Sequence, residues 1–284
     1  MSTRNNQDRF GSVEPDTSTG ATATQTNPLD FATPTEMVEL PSKGQFYPEG
    51  HPLHNLETVE IRYMTAKDED ILVNRSLIKK GVVLDRLLQS VIVDKSINVD
   101  DLLIGDKNAI LIATRISGYG ADYNTKIPCP SCGSVSDHTF DLEEALEESY
   151  ERGSDTTFAQ QTENGTFLVS LPKTGVNVEV RPLSGKDEKT ILKTNSMRQK
   201  NKLPEMSLTD QMMLYVVSVN GETNQGTIAN FIQNMPAIDS RHLRFAYQDA
   251  MPSVDLAQHF ECGDCGYEQE MEVPFTTEFF WPKR

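Results

Sequence analysis

Apolar and polar residues alternate from Val59 to Tyr63, in Val-Glu-Ile-Arg-Tyr, which predicts a strand with one buried face. Thr65 then offers a hydroxyl cap with Asp68 three residues on, so a helix should follow. The acidic residues of its first turn complement the helix dipole, which makes Lys67-Asp68-Glu69 a capping device rather than a catalytic set. Val82–Val93 carries Val, Leu and Ile at helical spacing, and Ser207–Val219 does so with Leu208, Met212, Met213, Leu214, Val216 and Val217; both read as core helices. Asp141–Asp155 is densely acidic and reads as an exposed linker or helix. Before the first strand, Pro41-Ser-Lys-Gly-Gln-Phe-Tyr-Pro48 dictates a turn that holds Phe46 and Tyr47 in an extended hook. After the last patterned stretch, Phe279, Phe280 and Trp281 crowd together. Packing onto their own chain is the default for both aromatic groups, and anchoring in another protein is the alternative. From Met1 to about Pro34 the chain is Thr, Ser, Asn, Gln and Gly with few apolar residues, the composition of a disordered tail.

The pattern recurs. Val59–Glu69 matches Val178–Glu188 with identity at Val, Glu, Arg, Lys, Asp and Glu. Further on, Asp106 corresponds to Asp239, Ile110 to Leu243, Ala113 to Ala246 and Cys129 to Cys262. The offset grows from 178 − 59 = 119 to 262 − 129 = 133, so the second copy carries 14 more residues. They are expected around Asn220–Asn234, where Gly221, Asn224 and Gly226 read as loop. The expected fold class is α+β, with two internally duplicated strand-plus-helices repeats, each ending in a small zinc-ribbon knuckle. Residues 1–35 would be a polar tail, 36–142 the first repeat, 143–165 an acidic linker, and 166–284 the second repeat with its aromatic end.

All four cysteines fall in the knuckles, Cys129-Pro-Ser-Cys132-Gly133 and Cys262-Gly-Asp-Cys265-Gly266. Two residues between ligands let one turn present two thiolates to one ion, and the following glycine permits the positive φ that the turn needs. If the pairs share one structural Zn²⁺ per chain, Cys129, Cys132, Cys262 and Cys265 fill its coordination and leave no position for water or substrate. Disulfides or redox centres are the competing reading, along with two separate sites completed by His138 and His259.

Composition narrows the partners. Lys and Arg number 26 against 42 Asp and Glu, a formal charge of −16, so nucleic acid is a poor partner. The basic stretch Lys193, Arg198, Lys200 and Lys202 reads as a solvated helix end and loop. No apolar run is long enough to span a bilayer, and no apolar signal core or lipidation motif is visible, so a soluble cytoplasmic chain is expected. No P-loop, His-Glu-x-x-His, Gly-x-Ser-x-Gly or dinucleotide motif occurs, and the histidines pair with no obvious nucleophile, so no enzyme is expected and no small-molecule substrate. A zinc-ribbon accessory factor of transcription or RNA processing is the runner-up, disfavoured by charge. A zinc enzyme would need a three-ligand site with bound water.

Pro41-Ser-Lys-Gly-x-Phe-Tyr-Pro48, the strand with Glu60-Ile-Arg62, the Lys67-Asp-Glu start of the helix and the Cys129-Pro-x-Cys132-Gly knuckle carry a resemblance to the baseplate hub assembly proteins of T4-type contractile-tailed bacteriophages. The likeness is strongest over residues 36–142 and reaches the C-terminus through the repeat. It implies a non-enzymatic role in tail morphogenesis, as a hub subunit or hub assembly chaperone. The implied partners are other hub proteins and the tape-measure protein. The implied location is the host cytoplasm during assembly, and the virion baseplate for a subunit. It supplies no active site.

Overall fold

In the computed structural model, which describes residues 33–273 together with 279 and 280, the alternating stretch is strand β2 (Thr58–Arg62), antiparallel to β1 (Thr35–Glu39). Val38, Val59 and Ile61 are buried, so one face of the pair meets the core. Leu40-Pro-Ser-Lys-Gly44 turns the chain after β1. Gly44 has φ +70°, and a Cβ there would lie 2.4 Å from the Leu56 nitrogen, so only glycine fits. The expected cap opens helix α1 (Ala66–Leu72): Asp68 Oδ2 accepts from the Thr65 N–H and hydroxyl, both at 2.8 Å. The same carboxylate receives a two-pronged Arg62 guanidinium at 2.7 and 2.9 Å and the Ser90 hydroxyl at 2.6 Å.

Next come α2 (Arg75–Lys80) and α3 (Val83–Val91), the latter burying Leu87, Leu88 and Val91 as its helical spacing predicts. Helix α4 (Ile104–Tyr119) runs through the core with Ile110, Leu111 and Ile112 buried. It leads into the hairpin β3 (Asp122–Pro128) and β4 (Val135–Asp141). Asp141 caps α5 (Leu142–Arg152), accepting from the Glu143 and Glu144 N–H groups. This acidic helix points its glutamates outward, buries Leu142, Ala145 and Ser149, and ties Tyr150 Oη to the Glu39 carbonyl at 2.7 Å.

An antiparallel sheet of order β5-β6-β7-β8 follows: β5 (Gln160–Gln161), β6 (Phe167–Ser170), β7 (Asn177–Val180) and β8 (Val216–Val219). Between β7 and β8 lie α6 (Gly185–Lys200) and α7 (Leu208–Tyr215). After β8 come α8 (Gln225–Asn234), α9 (Ala237–Ala250) and the hairpin β9 (Ala257–Glu261) and β10 (Glu268–Glu272). Arg181 grips Asp187 with two bonds of 2.8 Å, and Asp187 Oδ2 accepts from the Ser184 N–H and hydroxyl, the same device as at α1.

Two expectations fail in this half. The Ser207–Val219 stretch is not one helix, because α7 stops at Tyr215 and the β-branched run Val216–Val219 pairs with β7. Leu208, at its start, is also half-exposed rather than core. Asn220–Asn234 is not a loop. Asn224 is the N-cap of α8, accepting from the Gly226 and Thr227 N–H groups, and Ile228 and Ile232 form its buried stripe. The glycines Gly221 and Gly226 flank the cap without breaking the helix, which begins at Gln225.

Buried apolar residues form two clusters. One, from Ala159 to Ala250, fills the four-stranded sheet and its helices. The other gathers Val38 to Ala145 and also takes in Leu256, Phe260, Cys262, Val273, Phe279 and Phe280. The last ribbon thus packs with the first half of the chain. An ion-pair network links the halves: buried Lys107 reaches Asp85 at 2.8 Å and Glu188 at 2.6 Å, and Lys189 also meets Asp85 at 2.9 Å. The polar tail of residues 1–35 lies almost wholly outside the described residues.

The Arg–Asp forks carry a pH prediction. Burial alone would raise the Asp68 carboxyl, but the Arg62, Ser90 and Thr65 bonds outweigh it and hold it well below the usual carboxylate range; Asp187 is lowered in the same way by Arg181 and Ser184. A depressed native pKa contributes stability that is fully present above the unfolded value of about 4 and is lost as pH falls through the native value. Urea midpoints are therefore expected to drop steeply below about pH 4. The double variant Asp68→Asn, Asp187→Asn should be weaker at neutral pH and show a flatter acid limb; an unchanged limb would reject this assignment.

Candidate metal centre

The cysteines sit at the tips of two hairpins whose local geometry is the same. In the β3–β4 turn the Gly133 N–H donates to the Cys129 carbonyl at 2.9 Å and the Cys129 N–H to the Ser134 carbonyl at 2.8 Å. In the β9–β10 turn the Gly266 N–H donates to the Cys262 carbonyl at 2.9 Å and the Cys262 N–H to the Tyr267 carbonyl at 2.9 Å. Gly133 and Gly266 have φ of +74° and +67°, the left-handed region expected of them.

The two tips meet. Cys129 Sγ lies 3.7 Å from Cys265 Sγ, Cys132 Sγ lies 3.8 Å from Cys262 Sγ, and all four sulfurs fall within 4.8 Å of one another. A regular tetrahedron with metal–sulfur bonds of about 2.3 Å has edges of about 3.8 Å, so the sulfur spacing fits one tetrahedral ion. The cysteines are free thiols, too far apart at these distances for S–S bonds. Cys129 and Cys262 are buried, while Cys132 and Cys265 face outward. The Ser134 hydroxyl pulls Cys262 down, whereas at Cys265 the Tyr267 N–H is outweighed by desolvation and the neighbouring sulfurs, which push the thiol up. His138 and His259 are not part of the cluster, and the His138 ring packs edge-on against Phe140 and Phe260.

Three buried charges brace the ribbons and the turns before them: Arg115, which the sequence pattern did not single out, and Asp106 and Asp239, which it marked only as a recurring pair. Arg115, fully buried on α4, donates from Nε to the Phe279 carbonyl at 2.7 Å, and from its other nitrogens to the Gly120 and Asp122 carbonyls at 2.5 and 3.1 Å. It ties the end of the chain to the start of β3. Asp106, the third residue of α4, accepts from the Ser42 N–H and hydroxyl and the Tyr47 hydroxyl at 3.0, 2.6 and 2.7 Å. Asp239, third in α9, accepts from the Lys173 and Thr174 N–H groups at 2.8 and 3.0 Å. Each aspartate thus holds a Leu-Pro-x-x-Gly turn, residues 40–44 and 171–175, and that shared pentapeptide was the signal available.

The aromatic residues weighed as partner anchors are placed inside their own chain. Tyr47 is buried on Asp106, and half-buried Phe46 stacks on Phe167 with ring centroids 5.1 Å apart. Phe279 and Phe280 are buried, and Phe279 meets the Tyr123 ring edge-on at 5.2 Å. Within the chain by itself, three of these four rings are buried and Phe46 is half-buried. Trp281 lies outside the described residues. Among the described residues no helix is long and apolar enough to cross a membrane.

No curated protein and no solved structure matches the chain significantly. The family profile described as T4 bacteriophage base plate protein matches residues 33–281, which spans both hairpins and everything between them. With that match over most of its length, the chain belongs to the T4 bacteriophage base plate protein family.

Proposed function

We propose that the protein is a non-enzymatic tail-morphogenesis factor, a baseplate hub subunit or hub assembly chaperone, that works through protein contacts on a scaffold closed by one structural Zn²⁺. The observation that carries the reading is the meeting of four thiols from two ribbons, with facing cysteines 130 and 136 residues apart. Cys129, Cys132, Cys262 and Cys265 would hold the ion, which supplies cross-linking and no Lewis-acid chemistry, since four sulfurs leave no open position. The chain's residues do the rest: Arg115 and the two ribbon glycines set the approach of the tips. The natural partners are other hub proteins and the tape-measure protein, met in the host cytoplasm and, for a subunit, retained in the virion. Family membership does not favour the nucleic-acid alternative.

An internal duplication accounts for the paired devices. The Leu-Pro-x-x-Gly turns, Arg–Asp forks, capping boxes, third-position aspartates and ribbons recur in the same chain order, which supports two repeats ending in equivalent knuckles.

Metal analysis of the purified chain is expected to give one zinc per chain, and cobalt substitution a four-thiolate spectrum. Two ions, none, or a mixed-ligand spectrum would remove the clasp. Phage with a stop codon in this gene should accumulate tail parts without finished baseplates, and mass spectrometry of wild-type virions separates subunit from chaperone. Normal baseplates in the mutant would reject the morphogenetic role.

A further inference from the structure

A cavity of about 420 Å³ opens between α6, α7, α9 and the start of α4, and none of the four cysteines lines it. That size is typical of a site that takes a ligand or an inserted side chain. Its walls are largely apolar, including Leu183, Ile191, Leu214, Met251 and Pro252, and half-exposed Leu208 stands at its rim. One cation lines it. The Arg244 Nε is buried with no hydrogen-bond partner, and no ion pair to Arg244 is formed among the described residues. A buried N–H without an acceptor is costly, and a guanidinium is built to receive a carboxylate in two parallel bonds. Arg62, Arg115 and Arg181, by contrast, have their acceptors.

The surrounding charge adds direction. In a chain of formal charge −16, α6 carries five basic residues against two acidic ones; Lys186, Lys189 and Arg198 are paired with aspartates, and Lys193 and Lys200 form no ion pair among the described residues. An acidic segment is repelled by most of this surface and is drawn to this face. Leu192 and Met197 on the same helix are about half exposed.

We propose that this cavity receives an acidic, apolar segment of another protein, with a leucine- or phenylalanine-sized side chain in the apolar well and a neighbouring carboxylate on Arg244. The site is separate from the metal clasp and does not depend on the zinc assignment. Filling the well removes apolar surface from water, and the carboxylate supplies the acceptor that Arg244 lacks.

The test uses the full chain and a fluorescein-labelled 12-residue peptide with leucines at helical spacing and glutamates between them, followed by anisotropy. Saturable binding is expected, weakened about tenfold or more by Arg244→Gln, the loss of one charge-assisted contact. Leu208→Glu should weaken it comparably by placing like charge at the rim, and its half-exposed position at the start of α7 lets the fold accept the substitution. Ile238→Glu, equally exposed but outside the cavity, should leave binding unchanged. Binding that ignores Arg244→Gln and Leu208→Glu, or that is equal for a peptide with lysine in place of glutamate, overturns the proposal. So does laurate binding with the same variant sensitivity while the acidic peptide fails to bind, since the site would then serve a small carboxylate.

Discussion

Cys262→Ser is expected to empty the metal site and to lower the melting temperature by about 10 °C or more, because binding energy at a structural zinc is folding energy. Serine is a poor zinc ligand at neutral pH, and Cys262 is the buried member of its pair, with no alternative donor within reach among the described residues. The loss should not stop at its own ribbon. Cys262 pairs across to Cys132 at 3.8 Å, so the β3–β4 tip loses its partner as well, and Cys132→Ser should produce the same metal content from the other side. Asp264→Ala, in the same turn but without a ligand atom in the cluster, should retain the ion. Full metal content and an unshifted melting curve in Cys262→Ser would mean that the sulfurs meet without binding.

Arg115→Met is expected to cost about 4 kcal/mol, since three buried or half-buried carbonyls lose charge-assisted donors and the apolar replacement cannot satisfy them. For a chain of this size that corresponds to a melting temperature lower by roughly 10 °C. The damage has a location. Arg115 Nε holds the Phe279 carbonyl, so the C-terminal segment should become the first site of proteolysis, while the four-stranded sheet, in the other apolar cluster, stays protected. Arg115→Lys should recover little, because a single ammonium cannot span three carbonyls in different directions. Uniform loss of protection across both clusters would show that Arg115 supports the whole fold rather than the chain end.

Much of this was readable in residue order. The strand at Val59, the caps at Thr65 and Ser184 and the two cysteine turns depend on contacts within a few residues, and such contacts leave a local mark. The meeting of Cys129 with Cys265 was legible only through symmetry, since nothing near either residue specifies a partner so far away. Arg115 left no mark, because its three acceptors are main-chain carbonyls, which every residue possesses. Val216–Val219 misled because a short apolar run satisfies helix and strand alike, and pairing with β7 settles it only in three dimensions. Phe46 and Tyr47 were visible as aromatic, but their burial depends on Phe167 and Asp106, which lie more than 50 residues away.

The return of the last ribbon to the first apolar cluster also sets an order of events during synthesis. Cys129 and Cys265 are separated by 136 residues, and Phe140 waits for Phe260 and Phe280 beside it in the same cluster. The ribosome releases the first half long before its core can be sealed, whereas the sheet of the second half pairs strands from its own stretch alone. Closing so long a loop makes the final docking the slow, non-local step. Until then the unfinished first cluster exposes apolar surface, the condition under which nascent chains associate wrongly. The second ribbon therefore acts as a completion mark, by which only a molecule that carries it acquires a closed first cluster.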